Sequence, residues 1–470
     1  MNGMYEFDLL CIGSGPAGQR AGVQAAKLGK HVGVVEKRQR LGGVCVERGT
    51  IPSKTFREAV LSFAHRNGHF PCCLGSPSVS HNTNHPTMEQ LLERVEVVVR
   101  REEEVVEDQL WRNEIELIRG DASFQDSHTL LVRSEEGVHR VTADQILVAV
   151  GTTPAPPPGV PVDRDVIITS DDLMQLRRLP KTITVVGGGV IGIEYASMFA
   201  ALEIGVTLVD KRERLLEFLD GEIVEELMHQ MRNRGVTFRL GEAVERVEIA
   251  DGPLRQAILH LESGNRIVSD LVLFSAGRPG ATAELNLAAA GLKADDRGRI
   301  TVDHQFRTSV PHIFAGGDVI GYPSLASTSS EQGRLAACHA FGVAAGPMAE
   351  HFPIGIYAIP EISMVGATEH ELTAQHIPYE TGIARYKEIA RGQILGDDSG
   401  LVKLLFHRED HRLLGVHAIG TGATELIHIG QAVLALGAGL EYFLTTVFNY
   451  PTLAECYKVA ALNAFNKLSL

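Results

Sequence analysis

The chain has 470 residues, of which 44% are hydrophobic and 22% charged. This composition is typical of a soluble globular enzyme, and the length suffices for about three domains. With 44 basic and 58 acidic residues the formal net charge is −14, which argues against nucleic acid as a partner, because phosphate contacts need clustered cations.

Six cysteines are too few for a disulfide scaffold, and none has the spacing of a zinc site, so we expect a cytoplasmic protein with no metal. The adjacent Cys72 and Cys73 read more simply as free thiols than as a redox pair. The first predicted strand starts at Phe7, which leaves no room for a signal sequence. The most apolar long window, 182–209, contains Glu194 and Glu203 and is not predicted to span a membrane.

The first predicted unit is a strand, EFDLLCI, that enters a glycine-rich loop and a helix. The loop carries Gly13, Gly15 and Gly18, and the next strand, HVGVVE, ends on Glu36. The first glycine permits a tight turn, the second lets the backbone approach a pyrophosphate, and the third lets the helix pack on the strand. Free N–H groups at the helix start attract the anion, and the terminal acid accepts hydrogen bonds from an adenosine ribose.

The next segment, LGGVCVERGTIPSK, carries Cys45, and four residues lie between it and Thr50. A second sulfur at Thr50 would make a redox pair. A threonine hydroxyl cannot form a thiolate or a disulfide near neutral pH.

Two segments separate this loop from the next unit. Residues 88–117 are predicted to form a highly charged helix with an apolar seam. The segment DQILVAVG is a strand that ends at Gly151, and a proline-rich crossover follows as a domain boundary.

The second predicted unit repeats the first. TITVVGGGVIG carries Gly187, Gly189 and Gly192, and the strand GVTLVD ends on Asp210. Corresponding glycines and terminal acids of the two units are each 174 residues apart. Glycines kept only for helix packing would not require an acid at the same place twice, so we predict two dinucleotide sites and electron transfer between two cofactors.

Three cations, Lys211, Arg212 and Arg214, follow Asp210 directly. An acid favours the free 2′-hydroxyl of an adenosine ribose, whereas cations would neutralise a ribose 2′-phosphate. The pattern therefore fits a site that accepts dinucleotides with and without that phosphate. It fits a solvated run of charges equally well.

The rest of the chain adds three signals. DLVLFSAGRPG closes the second unit, and HIFAGGDVIG is another strand, ending in glycines and Asp318. After about Gly346 short strands and helices carry no nucleotide signature and predict an α+β domain of another kind.

With GSGPAG, GGVCVERGTIPSK, AVGTTP, GGGVIGIEYA, SAGRPG, AGGDV and NYPTLAE in this order, the whole chain resembles the flavoprotein disulfide reductase family. The resemblance implies an α/β fold of two Rossmann-like domains, for FAD and NAD(P), with a C-terminal α+β dimerisation domain. The expected segments are 1–150 and 277–346 for FAD, 151–276 for NAD(P) and 347–470 for dimerisation. A homodimer is implied, and a larger homo-oligomer is left open.

The resemblance also assigns roles. Lys54 would lie beside flavin N5 and pair with Glu194, for which a surface helix acid is the other interpretation. Residues expected to contact FAD are Gly13, Gly15, Pro16, Ala17, Gly18, Glu36, Lys37, Gly42, Gly43, Cys45, Lys54, Gly151, Asp318 and Ala326. Residues expected to contact NAD(P) are Gly187, Gly189, Val190, Ile191, Gly192, Glu194, Asp210, Lys211, Arg212, Gly277 and Arg278.

Two departures from the family pattern both affect the thiol–disulfide half of the family's reaction. Thr50 replaces the flavin-facing sulfur, and Tyr450 stands where the family has the histidine of its H-P-T-x-x-E motif. A phenol with a pKa of about 10 is a poor base at neutral pH. The nicotinamide side is kept, so we expect NADPH to reduce FAD and NAD⁺ to take the hydride in the same pocket, by a ping-pong route.

Two alternatives stay open at this stage. One is a flavin oxidoreductase, like dihydrolipoamide dehydrogenase or with a single thiol, that uses Cys45 with a disulfide or quinone acceptor. The other is a flavin-binding scaffold or redox sensor that signals through its dimer surface. Glu455 is left without the histidine it would orient and either bonds Tyr450 or serves as scaffold.

Overall fold

The computed structural model describes residues 4–66, 86–155, 159–160, 162–250 and 255–468. Cys72 and Cys73 lie outside these residues. The chain divides into two compact units, and the predicted four-segment division stays a prediction. The first unit comprises Met1–Phe56, Leu92–Ala155 and Gly277–Met348, and the second comprises Arg57–Leu91, Pro156–Ala276 and Ala349–Leu470.

The described residues form strands and helices that we number in chain order. The strands are β1 (Phe7–Ile12), β2 (Val32–Glu36), β3 (Glu116–Arg119), β4 (Asp121–Asp126), β5 (Thr129–Ser134), β6 (Gly137–Val148), β7 (Ile167–Thr169), β8 (Thr182–Val186), β9 (Gly205–Asp210), β10 (Thr237–Leu240), β11 (Val244–Ala250), β12 (Gln256–Leu261), β13 (Arg266–Ser269), β14 (Leu271–Phe274), β15 (Ile313–Ala315), β16 (Ile354–Ile356), β17 (Ile362–Gly366), β18 (Tyr379–Arg385), β19 (Leu401–His407) and β20 (Leu413–Ile419). The helices are α1 (Pro16–Lys27), α2 (Gly43–Glu47), α3 (Thr50–Arg66), α4 (Met88–Trp111), α5 (Val190–Ala201), α6 (Gly221–Asn233), α7 (Ala326–Ala340), α8 (Glu369–Ala374), α9 (Ala390–Leu395), α10 (Ala423–Ala435), α11 (Leu440–Thr445) and α12 (Glu455–Leu468).

The first unit is built on a parallel sheet with the order β3-β2-β1-β6-β15. Strand β6 is long, and its N-terminal half leaves this sheet to pair antiparallel with β5, which pairs with β4. In β1, Leu9 and Cys11 enter one hydrophobic cluster while Leu10 and Ile12 enter another. Because side chains alternate along a strand, both faces of the sheet are covered, which explains why residues 9–12 of β1 form a continuous apolar run.

The second unit contains a parallel sheet of the same kind, with the order β10-β9-β8-β14-β7. Strands β11, β12 and β13 form a separate antiparallel sheet. Helix α5 is buried along almost its whole length, from Gly192 to Ala201. Apart from Glu194 and Ser197, its residues are apolar or aromatic on every face, because the helix packs within a core rather than at a surface.

The predicted repeat is present in the structure. Helices α1 and α5 each have 12 residues and begin 174 positions apart, at Pro16 and Val190. Strands β2 and β9 end on Glu36 and Asp210. The charged helix predicted over residues 88–117 is α4, in which Leu91, Val95 and Val99 are buried. Its predicted C-terminal end is wrong, because α4 ends at Trp111 and β3 begins at Glu116, where the chain joins the sheet beside β2.

The C-terminal part of the second unit is an antiparallel sheet, β16-β17-β20-β19-β18, packed with α10 and α12. Its core includes the stacked rings of Phe443 and Tyr457, whose centroids are 5.3 Å apart. The α+β character predicted after Gly346 is confirmed. Among the described residues, no helix has both the length and the apolar character that a bilayer crossing requires.

Candidate active site: two glycine loops and their terminal acids

The first glycine loop joins β1 to α1. Gly13 has a φ of +107°, a conformation that favours glycine, and its N–H donates to the Val35 carbonyl at 2.8 Å. A Cβ at Gly18 would lie 1.9 Å from the Gly13 carbonyl oxygen, whereas a Cβ at Gly15 would meet no described atom within 4 Å. The third glycine therefore permits close packing against the loop itself, and the second leaves an open face for a ligand.

The carboxylate of Glu36 closes the first loop on its polar side. Its Oε2 accepts hydrogen bonds from the Ser14 N–H at 3.0 Å and from the Ser14 hydroxyl at 2.6 Å. Its Oε1 accepts from the Arg38 N–H at 2.8 Å, and the residue is 5% exposed. A buried carboxylate needs such donors, and three donors leave one of its four lone-pair sites for a ligand hydroxyl.

The Arg38 guanidinium turns away from Glu36. Its NH1 donates to Glu47 Oε2 at 2.5 Å. Lys37 also points elsewhere, toward the exposed Asp121 and Glu284 at 4.0 and 3.6 Å. The carboxylate of Glu36 is therefore held by neutral donors, while the neighbouring cations contact other acids.

A second glycine turn lies against this loop. Gly42 and Gly43 have φ of +98° and +62°, and the Gly42 N–H donates to Ser14 Oγ at 3.0 Å. A Cβ at Gly43 would lie 2.9 Å from the Gly15 Cα, so glycine is needed for the two turns to approach. Three further residues predicted to contact FAD, Pro16, Cys45 and Ala326, line one cleft of about 250 Å³ beside this turn.

The Cys45 thiol lies in α2, just after the Gly42–Gly43 turn. Burial raises its pKa, against the lowering influence of a hydrogen bond with the Thr50 side chain and of the Lys54 charge. At neutral pH the side chain is thus a protonated thiol, which is a weak nucleophile. Thr50 occupies the place of a second sulfur as a hydrogen-bond partner, and Lys54 Nζ donates to Ser53 Oγ at 3.3 Å.

Asp318 follows β15 and a turn at Gly317, where φ is +79°. Burial raises the pKa of Asp318, and the Arg278 charge and a hydrogen bond with Thr152 oppose that rise. Arg278 is held by Thr152, since its Nε donates to the hydroxyl and its NH2 to the carbonyl, both at 3.0 Å. A partly buried carboxyl group of this kind suits the hydroxyls of a sugar-like chain.

Gly151 and Gly277 flank this group in the same unit. Both have positive φ, +66° and +124°, and the Gly277 carbonyl accepts from the Ala155 N–H at 3.0 Å. Gly277 and Arg278 were predicted to contact NAD(P). They lie in the first unit with Asp318, and their contact with a nicotinamide stays a prediction.

The second glycine loop, between β8 and α5, copies the first in detail. Gly187 has a φ of +106°, and its N–H donates to the Val209 carbonyl at 2.8 Å. A Cβ at Gly192 would lie 1.9 Å from the Gly187 carbonyl oxygen, and one at Gly189 would meet no described atom within 4 Å. Val190 and Ile191, the first residues of α5, are partly exposed beside this open face.

The acid of the second loop has different surroundings. Asp210 Oδ2 accepts from the Gly188 N–H at 2.6 Å and from Arg212 NH2 at 2.6 Å. Its Oδ1 accepts from the Arg212 N–H at 2.8 Å and from Arg212 Nε at 2.9 Å. Burial would raise the pKa of Asp210, but the hydrogen bonds from Arg212 and Gly188 and the Arg212 charge outweigh it, so its pKa lies below the usual range. Lys211 is exposed.

Glu194 is buried in α5, with 2% of the residue exposed, so its interpretation as a surface helix acid is wrong. Its Oε1 accepts from the Tyr357 N–H at 2.8 Å. A buried carboxylate is retained only where such partners offset its lost hydration. Lys54 and Glu194 belong to different units, and their pairing stays a prediction.

At the C-terminal motif, Tyr450 is 68% exposed. Glu455 Oε2 is buried and finds no hydrogen-bond partner among the described residues. The two roles predicted for Glu455, a bond to Tyr450 or a place in the scaffold, stay predictions.

Sequence reasoning missed Ser14, Gly188 and Thr152. Ser14 and Gly188 follow the first glycine of each loop, and this position supplies the N–H that holds the terminal acid in both. Their equivalence could have been found from the 174-residue offset. Thr152 could not, because it holds Arg278 through a contact between residues 126 positions apart.

A group of acids outside the loops has ligand atoms close enough to hold a metal ion. Asp220, Glu222 and Glu369 form this group, and the Nζ of Lys403 lies 3.0, 3.1 and 2.6 Å from their oxygens. The lysine ammonium already occupies the centre of the cluster, so the group is an ion-pair network of the second unit.

Comparisons with known proteins agree with this geometry. The model of the pyridine nucleotide-disulphide oxidoreductase family matches residues 7–333, and the model of that family's dimerisation domain matches residues 352–461. The chain belongs to the pyridine nucleotide-disulphide oxidoreductase family.

Curated relatives within this family align over nearly the whole chain. A soluble pyridine nucleotide transhydrogenase of Mycobacterium bovis is 51% identical, over 99% of this chain and 98% of that protein. One from Photobacterium profundum is 44% identical, over 98% of each. The family expected from the ordered motifs is thus confirmed.

Solved structures confirm the predicted fold class. The flavoprotein disulfide reductase RclA from Escherichia coli aligns with a TM-score of 0.86 at 25% identity, covering 97% of this chain and 99% of that one. LpdA from Mycobacterium tuberculosis aligns with a TM-score of 0.87 at 25% identity, with the same coverage.

Proposed function

We propose that this protein is an FAD-dependent transhydrogenase that passes hydride from NADPH to NAD⁺. The observation that carries the proposal is the pairing of two intact dinucleotide loops with a disabled sulfur centre, in which Cys45 is protonated and Thr50 replaces its partner. The names of the curated relatives support the same activity.

The first unit fits FAD. Gly15 presents the open face that a pyrophosphate needs, Glu36 keeps a lone pair for a ribose hydroxyl, and Asp318 is a partly buried carboxyl suited to the ribityl chain. When bound, FAD accepts a hydride from one nicotinamide and gives it to another, so that electron pairs move without a thiol. Helix α1 adds the positive end of its dipole behind the pyrophosphate position.

The second loop supplies the nicotinamide nucleotide site. The N–H groups at the start of α5 bind the pyrophosphate, and Asp210 lies where β9 ends, at the position that contacts the adenosine ribose. Among the described residues one such loop is present besides that for FAD, so NADPH and NAD⁺ use it in turn. The reaction NADPH + NAD⁺ → NADP⁺ + NADH moves one hydride and releases no proton, which agrees with a site that needs no general base at Tyr450.

Anaerobic mixing tests the proposal directly. NADPH added to the holoenzyme should bleach the flavin absorbance, and subsequent NAD⁺ should restore it at a rate that supports turnover. Steady-state velocities should give parallel lines in double-reciprocal plots. Intersecting lines, or a flavin that NAD⁺ cannot reoxidise, would contradict the ping-pong route through a single pocket.

The single-thiol alternative makes a different prediction for Cys45. Replacement by serine removes the sulfur and keeps a side chain of similar size. We expect Cys45→Ser to retain transhydrogenation within a few-fold, because a protonated thiol takes no part in hydride transfer. If this variant lost all NADPH-dependent electron transfer, Cys45 would be the redox centre and the alternative would replace our proposal.

We also infer a homodimer in the cytoplasm. The match to the family's dimerisation domain supports the dimer. The described cysteines, Cys11, Cys45, Cys338 and Cys456, are free thiols, which agrees with a reducing compartment. Sedimentation of the holoenzyme will report the assembly, including any larger oligomer.

A further inference from the structure

The charge of Asp210 poses a problem for a pocket that must take both nucleotides. An unneutralised carboxylate repels the 2′-phosphate of NADP(H), which carries close to two negative charges. The same carboxylate is what the ribose diol of NAD(H) needs. Whether the pocket can take both nucleotides depends on which cation contacts Asp210 and on whether that cation can move away.

Of the three cations that follow Asp210, Arg212 is the one that contacts it within the part of the chain that the structure describes. Its guanidinium makes two hydrogen bonds to the carboxylate, from Nε at 2.9 Å and from NH2 at 2.6 Å. Side-chain exposure differs sharply between the partners, at 6% for Asp210 and 42% for Arg212. The acid is therefore fixed inside the unit, while the cation reaches it from the solvent side.

Backbone groups hold Asp210 independently of the guanidinium. The N–H groups of Gly188 and Arg212 donate to its two oxygens at 2.6 and 2.8 Å. Together with the guanidinium they fill all four lone-pair sites of the carboxylate. A ribose diol can consequently bind Asp210 only after the guanidinium has moved away, and that movement leaves the acid in place.

The first loop has an acid and an arginine at the same positions, but there the guanidinium does not contact the acid. Arg38 follows Glu36 by two residues, as Arg212 follows Asp210, and both main-chain N–H groups donate to the acid at 2.8 Å. The Arg38 guanidinium is bound to Glu47 instead. The site for FAD, which never carries a 2′-phosphate, has an uncovered acid, and the site that meets two kinds of ribose has a covered one.

We propose that Arg212 is a movable counter-ion that lets one pocket accept both nucleotides. With NADP(H) the guanidinium turns from Asp210 to the 2′-phosphate, and with NAD(H) it withdraws so that the diol bonds the carboxylate. This inference rests on the proposed function, since it assigns the residue that gives that pocket its double specificity. Arg212 is thus a specificity-determining residue at the ribose end of the site.

Equilibrium binding to the oxidised holoenzyme tests the proposal, with NADP⁺ and NAD⁺ titrated separately by calorimetry. Arg212→Gln should raise the Kd for NADP⁺ by roughly 10- to 100-fold, the effect of losing charge-assisted hydrogen bonds to a phosphate. The Kd for NAD⁺ should change little or fall, because the diol no longer competes with the guanidinium. Arg212→Lys should keep part of the NADP⁺ affinity, since it retains the charge without the planar fork.

A matched control is Arg255→Gln, which removes an arginine that bonds Asp163 and Asp165 elsewhere in the same unit. It should leave the ratio of the two dissociation constants unchanged. An Arg212→Gln variant that weakens both nucleotides equally would show that Arg212 only orients Asp210, and an unchanged NADP⁺ affinity would exclude it from the phosphate site. Either result would overturn the inference.

The same preparation distinguishes failure of the proposed function from failure of the counter-ion proposal. If NADPH does not bleach the flavin of the wild-type protein, the transhydrogenase proposal fails. If NADPH and NADH both bleach it, and Arg212→Gln shows no selective loss, only the counter-ion proposal fails.

Discussion

The two glycine loops have the same backbone but different charge at their closing acids. In both, the first glycine has a φ near +106°, and a Cβ on the third would lie 1.9 Å from the carbonyl oxygen of the first. In the first loop a serine hydroxyl bonds the acid, and in the second a guanidinium does. The backbone defines a dinucleotide site, and the side chains around the acid select which ribose it accepts.

The largest effect we expect concerns the ion cluster that follows the second loop in the same unit. Lys403 and Asp220 are each 1% exposed at their side chains. Lys403→Met would leave a buried carboxylate without its cation, at a cost of about 3–5 kcal/mol. Thermal unfolding should show a lower midpoint for the second unit while the flavin stays bound to the first.

Lys467→Met is the control for this variant. The Lys467 side chain is 41% exposed, and its Nζ lies 3.9 Å from Glu380, whose side chain is 19% exposed. A long ion pair whose lysine is open to solvent is worth about 0–1 kcal/mol, so the midpoint should barely move. Equal destabilisation by the two variants would show that the buried cluster contributes no more to the free energy of unfolding than the Lys467 pair does.

The third glycines come next and test whether the loops act independently. Gly18→Ala and Gly192→Ala each place a Cβ against a carbonyl oxygen, and the backbone shift should cost about 1–3 kcal/mol. Gly18→Ala should be purified with little flavin. Gly192→Ala should be yellow and stable to dialysis, yet resist bleaching by NADPH. Loss of flavin from both would mean that the loops are not separate sites.

The second glycines separate binding from folding. Gly15 and Gly189 have φ of −66° and −75°, which alanine adopts without strain, and a Cβ there meets no described atom. Alanine at either position should therefore leave the free energy of unfolding unchanged within about 0.5 kcal/mol. Flavin content should fall for Gly15→Ala, and NADP⁺ and NAD⁺ affinity for Gly189→Ala. Unaltered binding would place the pyrophosphates elsewhere.

The smallest effect is a difference in pH dependence between the two nucleotides. The pKa of Asp210 is lowered, so it is ionised throughout the neutral range, and NAD⁺ affinity should be flat from about pH 5 to pH 8. A phosphate monoester has its second pKa near 6, so NADP⁺ affinity should rise a few-fold from about pH 5 to pH 7 as the dianion meets Arg212. Calorimetry across this range measures both. A fall in NAD⁺ affinity near neutral pH would show that Asp210 titrates there.

Prediction from sequence succeeded where the determinants are local. The spacing of Gly13, Gly15 and Gly18 and the acid that ends β2 are set by turn and strand geometry, which depends on neighbours in the chain. Prediction was incomplete where the hydrogen-bond partner of a site residue lies far away in the sequence. Glu194 accepts a bond from a backbone N–H 163 positions away, and Arg278 is held by Thr152 from 126 positions away.

By itself, the sequence determined two dinucleotide units, the loss of the second sulfur at Thr50 and the presence of cations after Asp210. Only the tertiary structure decided what those cations do. An arginine side chain has many rotamers of similar energy, so it turns to whichever carboxylate the fold brings within reach, and for Arg38 this is Glu47 while for Arg212 it is Asp210. The two arginines occupy equivalent positions in the repeat, and their different partners depend on the packing around each loop.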